Sequence, residues 1–254
     1  MVKLFIDGMP VEANDGMTIL EAAKLAKVNI PTLCYLKEIN KIGACRICVV
    51  EVEGSDRLVA ACNTPIEEGM QVHTNSEKVR LARKTNLELI LSEHDCHCPT
   101  CVRSGNCKLQ TLAQEMNILD IPFEHKPAKN KWKASDILLR KESKCIKCLR
   151  CVSVCDKVQG LGVWELRGSG AHANVVVRGG ASLSNVCSLC GQCVTHCPVG
   201  ALSARDDTEK VFAAINDPEK IVVAQVAPAV RAAWGEGLGI APEAATEKRM
   251  AAAM

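Results

Sequence analysis

The pattern of apolar and polar positions over residues 1 to about 76 predicts two strands, a helix and further short strands. VKLFI leads through Asp7-Gly8, a hairpin-turn signal, into PVEA. Thr18-x-x-Glu21 then forms a capping box before the helical run ILEAAKLAK, and ICVVEVEG and RLVAA supply later strands. That order suits a small sheet with one helix packed across it. Thr74-x-x-Glu77 is read as a second capping box, opening a helix to about Ser92 with Val79, Ala82, Leu87, Ile90 and Leu91 on its buried side. Residues 120 to 135, with Pro122, Pro127 and several lysines, read as a linker. After Asp207 the composition turns alanine-rich, with a strand predicted over IVVAQV and a helix from near Pro228, a residue suited to helix N-termini.

Cysteine placement changes this picture most. All but one of the 16 cysteines, Cys96, fall into four groups. KCIKCLRCVSVCD carries Cys145, Cys148, Cys151 and Cys155, and VCSLCGQCVTHCP carries Cys187, Cys190, Cys193 and Cys197. Both have the Cys-x2-Cys-x2-Cys-x3-Cys spacing of bacterial two-cluster ferredoxins, in which the fourth thiolate of each run ligates the other run's cluster. One 4Fe-4S cluster is therefore expected on Cys145, Cys148, Cys151 and Cys197, the other on Cys187, Cys190, Cys193 and Cys155. Asp156 stands where proline commonly follows the first run, which leaves every ligand in place. A disulfide framework gains nothing from such repeated spacing. The 31 residues between the runs are an insertion rich in glycine.

Cys34, Cys45, Cys48 and Cys62 sit inside the sheet-and-helix segment with Cys-x10-Cys-x2-Cys-x13-Cys spacing. Four such thiolates suit either zinc or a 2Fe-2S cluster. The flanking NKIGACRIC favours the cluster, because Gly43 and Ala44 keep side chains away and let backbone N–H groups approach the sulfides. The element order is that of plant-type ferredoxins, although their first gap is four residues rather than ten. The fourth group, HDCHCPTCVRSGNCKLQ, offers His94, Cys98, Cys101 and Cys107 at the end of the second predicted helix. Cys96 is a rival to His94, and a histidine at a helix end is otherwise simply a favourable C-terminal charge. His97 adjoins Cys98 and is poorly placed to reach the same cluster, and His73, His125, His172 and His196 show no ligand pattern.

Composition adds limits. Aromatic residues make up 3% of the 254, so bound metal is expected to substitute for part of the apolar core. The formal charge of +2 counts thiols as neutral and gives no basic footprint for nucleic acid. MVKLFIDGMP lacks the apolar stretch of a signal peptide, and IVVAQVAPAV is too short to span a bilayer; a soluble, cytoplasmic protein is expected. No Walker motif, dinucleotide glycine fingerprint, nucleophile elbow or paired-carboxylate arrangement is evident, which assigns nucleotide chemistry to another subunit.

The order of the four groups resembles the N-terminal iron–sulfur region shared by the complex I large iron–sulfur subunit, some NAD-linked formate dehydrogenases and the FeFe hydrogenase catalytic subunit. The resemblance covers residues 1 to about 208, and it selects His94 over Cys96. It implies one 2Fe-2S and three 4Fe-4S clusters. The implied fold is α+β: a β-grasp 2Fe-2S ferredoxin domain over 1–76, a small helical 4Fe-4S domain with one histidine and three cysteine ligands over 77–125, and a bacterial-type two-4Fe-4S ferredoxin domain over 136–208. A short α/β C-terminal stub over 209–254 resembles the opening of the hydrogenase catalytic domain. The hydrogen-activating site of that family needs four further cysteines, whereas none follows Cys197 here, so this chain alone is expected not to hold it. The implied role is electron relay between a flavin- and NAD(P)-binding partner and ferredoxin or a hydrogen-activating site, in a class that includes electron-bifurcating complexes. A small 2Fe-2S subunit is a further implied partner.

Overall fold

The computed structural model describes residues 1–129 and 137–253. The end of the expected linker, from 130 to 135, and residue 136, the expected start of the two-cluster domain, lie outside the described residues. The chain divides into two compact units, Met1–Arg205 and Asp206–Met254.

The first unit opens with β1 (Val2–Ile6) and β2 (Met9–Ala13), an antiparallel hairpin closed by Asp7 and Gly8 at φ 50° and 79°. Positive φ at both positions gives the turn whose twist matches the strands. β3 (Val49–Val52), β4 (Val59–Ala60) and β5 (Gln71–His73) complete a sheet of order β2-β1-β5-β3-β4, with β5 parallel to β1 and antiparallel to β3. Register pairs Leu4 with Val11, so Leu4, Ile6, Val11 and Ala13 share the face that packs on α1 (Ile19–Leu25). The Thr18–Glu21 capping box opens that helix as the sequence predicts.

α2 spans Glu77–Ser92, but the Thr74–Glu77 box does not form. Ser76 caps the helix, accepting from Val79 N. Thr74 is drawn instead to the β1–β2 turn, where Asp7 accepts its N–H at 2.7 Å and its hydroxyl at 2.6 Å. A carboxylate is the stronger acceptor, and the helix starts beyond it. Val79, Leu87 and Leu91 are buried as expected, while Ala82 and Ile90 are only half-buried. Arg83, unexpected inside, donates from Nε (3.1 Å) and Nη2 (2.8 Å) to Val49 O and so ties α2 to β3. α3 (Lys108–Glu115) follows Cys107 and buries Leu109 and Leu112.

Beyond residue 136, β6 (Leu138–Arg140) pairs antiparallel with β9 (Leu202–Ala204). Between them lie α4 (Arg150–Lys157) and α6 (Gln192–Thr195), each carrying cysteines of one run. The insertion folds as a hairpin, β7 (Trp164–Arg167) with β8 (Asn174–Val177), followed by α5 (Leu183–Val186). Its turn requires Gly168, at φ 78°, because a Cβ there would lie 2.6 Å from His172 O. One apolar core continues from Leu33, Ile47 and α2 through Leu109 and Leu112 to Trp164 and the cysteines of both runs.

The second unit holds α7 (Thr208–Ile215), α8 (Pro228–Ala233) and α9 (Glu247–Ala253). Pro228 begins α8 as predicted. IVVAQV is not a strand: Ile221 and Val223 are 94% and 84% exposed, and among the described residues no strand pairs with them. A strand needs a neighbour to take its backbone hydrogen bonds, so the α/β expectation for 209–254 is corrected to helices and irregular chain among the described residues. No helix among the described residues is long and apolar enough to cross a membrane.

Arg83→Met removes two bonds to a buried carbonyl and should cost about 1–3 kcal/mol. Urea unfolding at equal iron content checks this, and an unchanged midpoint would contradict it.

Candidate functional site

Cys34, Cys45, Cys48 and Cys62 are buried beside the five-stranded sheet. Their thiols lie close enough to influence one another, Cys34 with Cys45 and Cys62, and Cys62 with Cys48, so the four sulfurs form one connected group. The neighbouring thiols hold Cys34 and Cys48 below the ordinary thiol range and push Cys45 and Cys62 above it. Backbone N–H groups of Ala44 and Cys45 face the Cys34 sulfur, and Cys34 N–H donates to Cys45 Sγ at 3.4 Å. Gly43 and Arg46 adopt positive φ, 65° and 54°, which turns successive N–H groups inward as in an anion nest. The network therefore presents sulfur and N–H dipoles to one buried spot, a donor set that fits a 2Fe-2S cluster.

His94 leaves α2 just past its end and is buried. Among the described residues its Nδ1 has no hydrogen-bond partner, and the backbone of Lys144 lies beside the ring. Burial first, then the nearby Lys144 ammonium, lowers its pKa to about 4, so the ring is neutral at pH 7. Cys98, Cys101 and Cys107 lie close enough for their charges to interact, and burial raises the Cys98 thiol. Cys96 lies near Cys98 and Cys107 as well, but its thiol is 3.3 Å from His94 O. Cys101 packs against Gly200, where a Cβ would come within 2.6 Å of its Sγ.

The two ferredoxin-like runs surround two cavities. One is lined by Cys145, Cys148, Cys151 and Cys197, the other by Cys187, Cys190, Cys193 and Cys155. The fourth cysteine of each run thus faces the cavity of the other. Charges show the same sorting: Cys151 interacts with Cys148, Cys145 and Cys197 more strongly than with Cys193, which interacts with Cys187, Cys155 and Cys190. Burial pushes Cys148 up to about 12 and Cys193 to about 11. Three backbone N–H groups, of Val199, Ala201 and Leu202, face Cys197, and Val163 N–H donates to Cys155 Sγ at 3.3 Å. Lys147 and Leu149 in the first run match Leu189 and Gly191 in the second, all at positive φ. Three of the four are not glycine, so each run keeps a strain of about 1–2 kcal/mol per residue to aim its N–H groups inward. Among the described residues, no three His, Cys, Asp or Glu side chains form a site for a single ion.

Sequence reading passed over three residues at these sites. Trp164, 1% exposed, lines both cavities, and its indole N–H donates to the Cys193 sulfur. Gly200 makes room for Cys101. Lys144, beside Cys145, donates to Asp95 O at 2.8 Å and so fastens the His94 loop to the first run. Only Gly200, three residues beyond Cys197, carried a signal, a small residue just past the last cysteine of a run.

Family models match in three consecutive stretches: a 2Fe-2S iron–sulfur cluster binding domain at residues 1–77, the NADH-ubiquinone oxidoreductase-G iron–sulfur binding region at 83–122, and the ferredoxin-like domain of NADH-quinone oxidoreductase subunit 3 at 135–203. A chain of a solved NAD+-reducing [NiFe]-hydrogenase, in its H2-reduced state, is 31% identical, with a TM-score of 0.74 over 80% of this chain and 87% of its own. The chain belongs to the iron–sulfur subunit family that NAD(P)-linked hydrogenases share with complex I. Within that family it is 43% identical to the NADP-reducing hydrogenase subunit HndD of Solidesulfovibrio fructosivorans, over all of this chain and 45% of that protein. The alpha subunit of the NADPH-Fe(3+) oxidoreductase of Geobacter sulfurreducens is 36% identical over 81% of this chain and 24% of its own. The chain thus spans less than half the length of these curated relatives. Family membership makes it an iron–sulfur electron-transfer protein carrying a 2Fe-2S domain and 4Fe-4S ferredoxin-like domains.

Gly200→Ala forces a methyl group into Cys101 Sγ and should remove one 4Fe-4S cluster while leaving the other centres. Iron and sulfide analysis with electron paramagnetic resonance (EPR) checks this; a full complement of iron would contradict it.

Proposed function

We propose that the chain is a relay of one 2Fe-2S and three 4Fe-4S clusters, accepting electrons from a flavin- and NAD(P)-binding iron–sulfur subunit. Cys34, Cys45, Cys48 and Cys62 hold the 2Fe-2S cluster, and His94, Cys98, Cys101 and Cys107 hold one 4Fe-4S cluster. The other two take Cys145, Cys148, Cys151 with Cys197, and Cys187, Cys190, Cys193 with Cys155. When bound, such clusters accept and release single electrons with little movement of the protein. The single observation that carries the reading is the sorting of eight cysteines into two separate cavities, each completed by the other run. The unpartnered nitrogen of His94 supports its choice over Cys96, whose thiol is turned to a backbone carbonyl.

This chain's residues exclude water, orient the thiolates and place N–H donors around sulfur, and those donors raise reduction potential by stabilising added negative charge. A neutral imidazole in place of a thiolate has the same direction of effect at the His94 centre. A small 2Fe-2S subunit and ferredoxin are the further partners, in the cytoplasm. The segment from Ile221 favours a complex of the FeFe hydrogenase class, including its electron-bifurcating members. The [NiFe] nature of the solved relative favours a relay that serves either kind of hydrogen-activating site.

Two measurements test this. Cys155→Ala should damage the centre of Cys187, Cys190 and Cys193, and Cys197→Ala that of Cys145, Cys148 and Cys151; loss confined to each run's own centre contradicts the crossing. With iron and sulfide restored, NADH or NADPH plus the flavin partner should bleach the visible absorption. No bleaching, from protein that dithionite does reduce, removes the proposed partner.

A further inference from the structure

Asn40 is 0% exposed, and its carboxamide is fully used. Nδ2 donates to Cys34 O at 2.8 Å and to Cys148 O at 3.0 Å, while Oδ1 accepts from Ser153 Oγ at 2.7 Å. With a hydroxyl donor on one end and two carbonyls on the other, the amide has one satisfactory orientation. Cys34 and Cys148 are 114 positions apart in sequence and belong to different proposed centres. Around this bridge, Arg150 donates to Cys34 O (3.1 Å) and Tyr35 O (2.7 Å), and Lys157 to Ile39 O (2.7 Å). The loop from Cys34 to Asn40 is thereby fixed on α4. Each of these carbonyls and side-chain donors has a partner, the condition under which a buried polar cluster specifies one geometry.

We propose that Asn40 is a positioning residue for electron transfer, fixing the 2Fe-2S centre against the centre of Cys145, Cys148, Cys151 and Cys197 and supplying a hydrogen-bonded route between them. The proposal rests on the ligand assignment above. The route runs from the Cys34 carbonyl through the two N–H groups of one amide nitrogen to the Cys148 carbonyl. With iron and sulfide bound, the cysteines of the two groups would hold clusters able to exchange one electron, the one oxidised as the other is reduced, with no bond made or broken. Tunnelling between buried centres weakens steeply with distance and with breaks in the bonded path, so both effects of the amide act in the same direction. A purely structural amide affects folding or iron content alone.

The test uses the full chain with its iron and sulfide, and its Asn40→Ala and Ser153→Ala variants. Three quantities are read: iron and sulfide content, the potential of each centre, and the magnetic interaction between the two centres in EPR at full reduction by dithionite. Flash reduction then gives the rate of electron redistribution. Asn40→Ala is expected to keep iron and both potentials, lose the mutual broadening of the two signals, and slow redistribution by about tenfold to a hundredfold, a displacement of about 1 Å costing up to about 10²-fold in rate. Ser153→Ala, which frees the amide to turn, is expected to give a smaller loss of the same kind. Unchanged coupling and rate in Asn40→Ala overturn the proposal. Should Asn40→Ala lose iron, Ser153→Ala is read alone, and unchanged coupling there overturns it equally. Absence of either EPR signal in the unaltered protein points instead to a failed ligand assignment.

Discussion

Buried sulfur is the constraint on which this molecule depends. Sixteen cysteines in a chain with 3% aromatic residues leave much of the interior lined by groups that are costly to ionise there. Burial accordingly pushes Cys148 to about 12 and Cys193 to about 11 and lowers His94 to about 4, each towards its neutral form. For Cys148 the folded value lies above the ordinary 9.0, so its contribution is present below pH 9 and lost as pH rises towards 12 in metal-free chain. Iron reverses that preference by taking the place of the protons. Metal loading therefore releases protons and strengthens with rising pH.

The sites are also fastened to one another. Asn40 and Arg150 join the loop of Cys34 to the first ferredoxin-like run, Lys144 joins that run to the loop of His94, and Gly200 seats Cys101 just beyond the second run. Each fastening uses a backbone group or the absence of a side chain, so it tolerates change in the surface residues around it. An electron relay needs this more than it needs a large core: its function is set by separations between centres, and rigid links hold those separations against thermal motion.

Much of the fold was legible because local rules acted without competition. Asp7-Gly8, Thr18-x-x-Glu21 and Pro228 each met the structure their chemistry predicts. Thr74 did not, because a carboxylate distant in sequence took its hydroxyl, and IVVAQV did not, because strand propensity without a pairing partner fixes nothing. The spacing of the last eight cysteines agrees with the two cavities they line, since tight turns leave few ways for adjacent thiols to converge. Asn40, Arg83 and Trp164 were not: their roles come from contacts spanning 29 to 108 residues, and a single polar or aromatic residue gives no local sign of what it will meet.

The four ligand groups are proposed to carry one two-iron and three four-iron centres. A Mössbauer spectrum of the chain reconstituted with 57Fe reads this directly. About one-seventh of the iron should lie in a 2Fe-2S environment and the remainder in 4Fe-4S environments. A spectrum lacking the two-iron component, or iron bound without sulfide, would contradict it.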